Sequence, residues 1–386
     1  MLKYFSADWV FPVNQPPIKN GVVVVTADGE IKEVLTEDEA VNLDLQGITK
    51  LKGALIPGFI NTHCHLELSN MLGLIPERTG LVEFVQSIIK NRQADTDLIV
   101  TAMERADEQM FENGIVAVGD ISNQPISKSI KQNSKIYYYT FIEAMGFNPE
   151  RAEAIMDYAK GVKAQFAPLP CSIVPHAPYS VSEKLFQLID DYAQDSFLSI
   201  HNQETAEENT FFETKTGGFL KLYEFLNLNI DFFQPSGKTS LQTWLPHLNQ
   251  KTLLVHNTFT NKTDLEFAQQ NKADLYWCLC PQANLYIENK LPNVDLLMDE
   301  SVKITLGTDS LASNHQLNIL AEMKILQIEK HIGFNDLLKW ATINGAEFLE
   351  LDKQLGTLEP GKRPGINLIN LSDDFIIEND NVQRII

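Results

Sequence analysis

Eight short apolar runs, separated by stretches of helical periodicity, restrict what this chain can fold into more than any other feature. They occupy residues 55–62, 115–120, 136–142, 171–175, 197–200, 252–255, 275–279 and 302–308. Such runs read as strands buried on both faces of a sheet. Between them lie amphipathic segments. Leu81, Val82, Phe84, Val85, Ile88 and Ile89 line one helical face. Ile319, Leu320, Met323, Leu326 and Gln327 mark another helix, and Leu337, Leu338, Ala341, Ala346 and Phe348 a last one. Strand and helix in alternation give βα units and a parallel sheet. Eight of them over roughly 300 residues fit an α/β TIM barrel better than an open sheet.

The two ends read differently. Gly21-Val22-Val23-Val24-Val25-Thr26 is β-branched, and Asp28-Gly29 is a hairpin turn signal. Residues 2–13 hold another strand. Leu355-Gly356-Thr357-Leu358-Glu359-Pro360-Gly361 is turn-rich, and Ile366-Asn367-Leu368-Ile369-Asn370-Leu371 returns to strand character. Two β-rich ends flanking a barrel pair most simply with each other. The expected division is a small β-sandwich from residues 1–54 plus 355–386, and a barrel from residues 55–354.

In a TIM barrel the chemistry sits where strands finish. The first run ends in Thr62-His63-Cys64-His65. Residues i and i+2 of a strand share a face, so His63 and His65 project together, a pair able to grip a divalent metal. The fourth run ends in His176, and the fifth in His201 with Glu204 three residues on. The sixth ends in His256 and the eighth in Asp309. Asp120 and Glu143 also stand at strand ends, where each could orient a ligand or face substrate. His247 and His331 read as structural; His315, six residues past Asp309, reads as a surface residue, with a substrate contact as the alternative.

Lys and Arg number 31 against 51 Asp and Glu, a net charge of −20, which disfavours nucleic acid and anionic membranes as partners. The expected partner is a small-molecule substrate. No run of 18 apolar residues is present, so no membrane-spanning helix is expected, and the location expected is cytoplasmic. Cys64, Cys171, Cys278 and Cys280 suggest buried thiols, not a disulfide framework. A homo-oligomer is left open.

These motifs resemble those of the amidohydrolase superfamily, in its deaminase and chlorohydrolase branch. The resemblance is carried by Pro57-Gly58-Phe59-Ile60-Asn61-Thr62-His63-Cys64-His65, His176-Ala177-Pro178-Tyr179-Ser180 and His201-Asn202-Gln203-Glu204-Thr205. It continues through Val255-His256-Asn257, Cys280-Pro281-Gln282-Ala283-Asn284-Leu285 and Leu306-Gly307-Thr308-Asp309-Ser310. It implies a distorted TIM barrel and a metal held by His63, His65, His201 and Asp309. It also implies that Glu204 moves protons, that Asp309 takes the proton of the attacking water, and that His256 touches that water or the expelled group. His176 resembles a substrate contact. A narrower resemblance, to 6-aminodeoxyfutalosine deaminases, rests on His65-Leu66-Glu67, Gly80-Leu81-Val82-Glu83-Phe84-Val85 and Asp309-Ser310-Leu311-Ala312-Ser313-Asn314.

The resemblance thus implies a hydrolytic deaminase of a heterocyclic, nucleoside-like amine that releases ammonia through a metal-activated water. An aromatic amine leaves poorly, which is the physical case for a proton donor at Glu204. Family members with two metals usually carry a lysine at the end of strand four. Cys171-Ser172-Ile173-Val174-Pro175-His176 has none, so one divalent ion is expected, zinc before iron. A chlorohydrolase, an amide hydrolase of the same superfamily, and a barrel that only binds a ligand are the alternatives. The long segment 205–251 carries Phe211, Phe212, Phe219, Tyr223, Phe225, Phe232, Phe233 and Trp244. Most of these are expected to pack on the barrel exterior, with Phe211 and Phe212 as candidates for a lid.

Overall fold

The structure is a computed structural model that describes residues 2–41, 47–194, 196–271 and 274–386. Eight parallel strands fall on the eight apolar runs: β8 (Phe59–Cys64), β9 (Ile115–Ser122), β10 (Tyr137–Ala144), β11 (Cys171–Pro175), β12 (Leu198–Asn202), β13 (Thr252–His256), β14 (Leu275–Leu279) and β15 (Lys303–Leu306). Every residue of β8, β9, β12, β13 and β14 is buried. That is why these segments read as continuous apolar runs and not as alternating ones. The strands form two parallel sheets, β8-β9-β10-β11 and β12-β13-β14-β15. Their registers include Phe59↔Ile115, Thr140↔Cys171, Leu198↔Thr252 and Tyr276↔Lys303.

The two sheets meet at two seams, both near the carboxyl ends of the strands. At one, Cys64 bridges Asp309, and His63 O accepts the N–H groups of Thr308 and Asp309 at 3.1 Å each. Gly307 permits this approach, because a Cβ there would lie 2.8 Å from His63 Cβ. At the other seam His201 N donates to His176 O at 3.0 Å. Helices such as Ala152–Phe166 and Glu183–Ala193 connect the strands, and the helix Ile319–Lys330 follows the last of the eight. Two of these carry side-chain caps: Ser182 accepts from Leu185 N, and Asn318 from Leu320 N and Ala321 N.

The terminal segments add two further sheets. One has the order β5 (Ile31–Leu35), β4 (Val22–Thr26), β1 (Leu2–Ser6), β6 (Ile48–Lys50). The other runs β17 (Ile377–Arg384), β16 (Ile366–Leu371), β7 (Ala54–Pro57), β2 (Trp9–Val10), β3 (Ile18–Lys19). Chain start and chain end therefore share a sheet: β16 pairs antiparallel with β7, Leu368 opposite Leu55, and β2 runs parallel to β7. Val10, Val23, Val25, Ile31, Leu55, Leu358, Ile366 and Leu368 form one apolar cluster.

The apolar run at 55–62 is two strands, not one. It divides at Gly58, where a Cβ would sit 2.5 Å from Pro364 O. The part before Gly58 joins the terminal sheet and the part after it joins β9. Likewise the strand expected within residues 2–13 is interrupted between β1 and β2. Among the described residues no helix is long and apolar enough to cross a membrane.

Candidate active site

Strand alternation sends His63 and His65 to one side of the β8 end, and Cys64 the other way. Their Nε2 atoms lie 3.1 Å apart, and His65 Nε2 is 3.2 Å from His201 Nε2 at the end of β12. Asp309 Oδ1 stands 3.4 Å from both His63 Nε2 and His65 Nε2. All four donor atoms fall within 4.8 Å of one another. Ligands bound tetrahedrally at 2.0–2.1 Å from a shared centre lie about 3.3–3.4 Å apart. The spacing therefore fits one divalent ion. Three mutually facing Nε2 atoms cannot satisfy one another by hydrogen bonds, because a neutral imidazole has a single N–H.

Burial holds the imidazoles in the neutral form that ligation requires. His63 is pushed down to about 4, His65 to about 3 and His201 to about 4. His201 Nδ1 lies 2.8 Å from the His176 carbonyl oxygen, so Nδ1 carries the proton and Nε2 keeps its lone pair. Burial opposes the charge on Asp309, but the hydrogen bond from His63 and the neighbouring imidazoles outweigh it and hold the carboxyl well below its usual range. Ser313 Oγ donates to Asp309 Oδ2, which leaves Oδ1 to the histidines.

Gln203, His256, Asn257 and Asp309 all have positive φ, at 46°, 76°, 58° and 55°. Non-glycine residues in that region cost about 1–3 kcal/mol each and persist only where the surroundings enforce them. Here they are enforced. Gln203 N donates to Glu208 Oε1 at 3.0 Å, and Asn257 Nδ2 donates to Leu254 O at 2.8 Å and Cys278 O at 3.2 Å.

This turn sets Glu204 beside the donor cluster. Glu204 is 4% exposed, and its Oε1 lies 3.6 Å from His256 Nε2. Burial, then the negative charge of Asp309, hold its carboxyl well above the usual range. Burial thus favours its protonated form, the form that has a proton to give. His256 is held well below its usual range by burial. Its Nδ1 faces Asn284 Nδ2 at 3.2 Å. His176 stands with its ring 4.8 Å from that of His201, and its Nδ1 is 2.7 Å from Ser180 Oγ.

Of the remaining candidates, Asp120 turns away from this cluster. It forms a buried ion pair with Lys131 Nζ at 2.6 Å and accepts from Leu66 N at 2.8 Å. Glu143 Oε1 lies 3.4 Å from His201 Nδ1, and burial raises its carboxyl to about 8. His315 is exposed and pairs with Glu77 at 3.3 Å. His247 stacks on Phe186, and His331 caps the helix Ile319–Lys330.

The sequence profile of the amidohydrolase family matches residues 54–386. The chain belongs to the amidohydrolase family. An adenosine deaminase of Helicobacter pylori is 26% identical to it over 333 residues, covering 84% of this chain and 80% of that one. Among solved structures, the Helicobacter pylori aminofutalosine deaminase in complex with methylthio-coformycin superposes with a TM-score of 0.81 at 23% identity, covering 97% of this chain and 93% of that one. An adenosine deaminase from Xanthomonas campestris with bound zinc gives 0.70 at 19% identity, covering 96% and 85%. These likenesses show the amidohydrolase α/β TIM-barrel fold. Amidohydrolases use a divalent metal, and the four donors described above suit one.

Within this amidohydrolase several polar residues have roles that the sequence pattern does not single out. Asn284 and Ser313 lie inside motifs that the sequence made visible, yet nothing local distinguished them. Glu208 buries its carboxyl under the Gln203–Glu204 turn, and Glu322 accepts from Gln282 N and Asn314 Nδ2 at 2.8 Å each. A polar residue on the apolar face of a helix was the available signal. The aromatic segment differs in part from expectation. Phe219, Tyr223 and Phe233, expected on the barrel exterior, gather with the lid candidates Phe211 and Phe212 in one cluster apart from the main core. They join Met71, Ile75, Leu81, Phe84, Tyr179 and Tyr286 there, from segments that follow β8, β11 and β14. Trp244 instead belongs to the main core and donates to Asn202 Oδ1 at 3.1 Å.

Proposed function

We propose that the chain is a hydrolytic deaminase of a nucleoside-like heterocyclic amine, releasing ammonia with a single divalent ion, zinc before iron. The observation that carries this reading is the buried carboxyl of Glu204, held above its usual range by burial and set beside four converging donors. Cleavage of a ring-bound amine calls for an acid placed where water is activated, and Glu204 occupies that place. The relatives named deaminases support the same reaction.

In this reading His63, His65, His201 and Asp309 hold the ion. When bound, it supplies the Lewis acidity that brings the pKa of water from 15.7 towards roughly 7. Asp309 accepts the proton released by the attacking water. Glu204 gives its proton to the ring nitrogen next to the carbon under attack, takes up the hydroxyl proton of the adduct as the carbonyl forms and passes it to the departing amine; the proton held by Asp309 then restores Glu204. His256 touches the attacking oxygen, and His176 contacts the substrate. Ring–NH2 plus water becomes ring carbonyl plus ammonia.

The substrate within this class is proposed to be 6-aminodeoxyfutalosine or a close relative of it. The two terminal sheets are proposed to form a small β-sandwich domain from residues 1–54 plus 355–386, of which Met1 and residues 42–46 lie outside the described residues. The shared apolar cluster supports it.

The deciding experiment is ammonia detection with zinc-loaded protein across adenosine, 5'-deoxyadenosine, 5'-methylthioadenosine and aminofutalosine, run beside a chlorinated heterocycle and an aryl amide. Ammonia from at least one nucleoside amine is expected, with close to one metal ion per chain by elemental analysis. Turnover confined to the chloride or the amide, or full activity with two ions or none, would refute the reading.

A further inference from the structure

We propose that Asn284 is a positioning residue that fixes His256 as the Nε2–H tautomer, so that His256 serves the reaction as a hydrogen-bond donor to oxygen and not as a base. The inference rests on the deaminase reading only for what that oxygen is.

A neutral imidazole carries one N–H, and the partner of one nitrogen decides the state of the other. Asn284 lies fully buried on the helix Pro281–Glu288. Its Nδ2 is 3.2 Å from His256 Nδ1 and 2.9 Å from Thr258 Oγ1. The two N–H bonds of the amide thus have two acceptors. Asn284 Oδ1 is buried without a hydrogen-bond partner among the described residues. Turning the amide over would give Oδ1 both neighbours and strand both N–H groups instead. Stranded buried donors are rarer than under-used carbonyls and cost more than one idle lone pair. The orientation with Nδ2 towards the ring is therefore the one the surroundings select. Nδ1 must then accept, and the proton resides on Nε2.

The ring is also held in place. His256 and Asn257 have φ of 76° and 58°, and Asn257 is anchored to two backbone carbonyls. Nε2 faces Glu204 Oε1 at 3.6 Å, and the ring lies 5.8 Å from that of His63 and 5.6 Å from that of His201. A base would need a lone pair on this side. The lone pair instead points at Asn284, away from Glu204.

Nitrogen-15 NMR of the imidazoles in zinc-loaded protein reads the tautomer directly, with His256→Gln identifying the resonances. A pyridine-type Nδ1 and a pyrrole-type Nε2 are expected in the wild type. Asn284→Asp should reverse the pattern, because a carboxylate accepts from Nδ1–H. It should also lower kcat roughly 100-fold, the usual loss when one preorganised donor to a developing oxyanion is removed, with KM little changed. His256→Gln, which places an N–H near the Nε2 position, should keep at least roughly tenfold more activity than His256→Ala. A protonated Nδ1 in the wild type, an unchanged pattern in Asn284→Asp, or equal inactivity of the two His256 variants would each overturn the proposal. If Asn284→Asp fails to fold, the wild-type spectrum alone decides. If no nucleoside amine is turned over, the deaminase reading falls while the spectrum still reports the tautomer.

Discussion

No described residue donates a hydrogen bond to the carboxyl of Glu204, and His256 Nε2 stands 3.6 Å from its Oε1. A buried acid left without partners is costly, and such groups are retained where a substrate or a proton uses them. Glu204→Gln keeps the size and removes the proton. Turnover of a nucleoside amine should fall by roughly 100- to 10,000-fold, the range for general acid–base work, or about 3–5 kcal/mol of barrier. Metal content should stay at the wild-type level, whereas His201→Ala should lose the metal. Measuring both quantities on one Glu204→Gln sample separates the roles. Near-normal turnover with full metal would remove Glu204 from proton transfer, and loss of both would make it part of the metal's support.

At the scale of elements, the segment after β8 is tied to β9 by a hydrogen bond to Asp120, whose charge is paired in a buried ion pair. Asp120, on β9, accepts from Leu66 N directly after His65, and Lys131, on the short helix Lys128–Asn133, neutralises it. Lys131 Nζ also donates to Ser122 Oγ at 2.9 Å and Thr140 Oγ1 at 3.0 Å. Removing the lysine alone strands a carboxylate whose burial already disfavours its charge. Lys131→Met should therefore destabilise the protein by about 3–5 kcal/mol in denaturant unfolding. The double variant with Asp120→Asn should recover much of that loss, since an amide oxygen still accepts from Leu66 N. A loss below about 1 kcal/mol for Lys131→Met alone would show that the pair carries no such burden.

At the scale of the whole molecule, the chain's last strands complete structure begun by its first. Without β16, the edge of β7 and the apolar side chains of Val10 and Leu55 would be uncovered. The tail also reaches the barrel: Asn367 Nδ2 donates to Gly114 O at 2.9 Å, and Arg384 Nη1 to Phe111 O at 3.1 Å and Ile115 O at 3.2 Å. An exposed apolar strand edge invites aggregation. Truncation before Leu355 should lower the melting temperature and the solubility together. A truncated chain that kept both would show the terminal strands to be dispensable.

Periodicity along the chain determined where the eight parallel strands fall, because a strand buried on both faces needs an unbroken apolar run. It also determined that His63 and His65 share a side, because that follows from strand geometry alone. The placement of His176, His201, His256 and Asp309 at strand ends was legible for the same reason. Tertiary structure alone decided what each end faces. Asp120 and Glu143 occupy equivalent ends, yet one is neutralised by Lys131 and the other lies beside His201. Asn284 and Ser313 meet His256 and Asp309 only because loops from different strands converge. The aromatic residues of 205–251 had the helical spacing of any packed surface. Whether that surface meets the barrel wall or segments from other strand ends depends on partners distant in sequence, and local patterning carries no record of them.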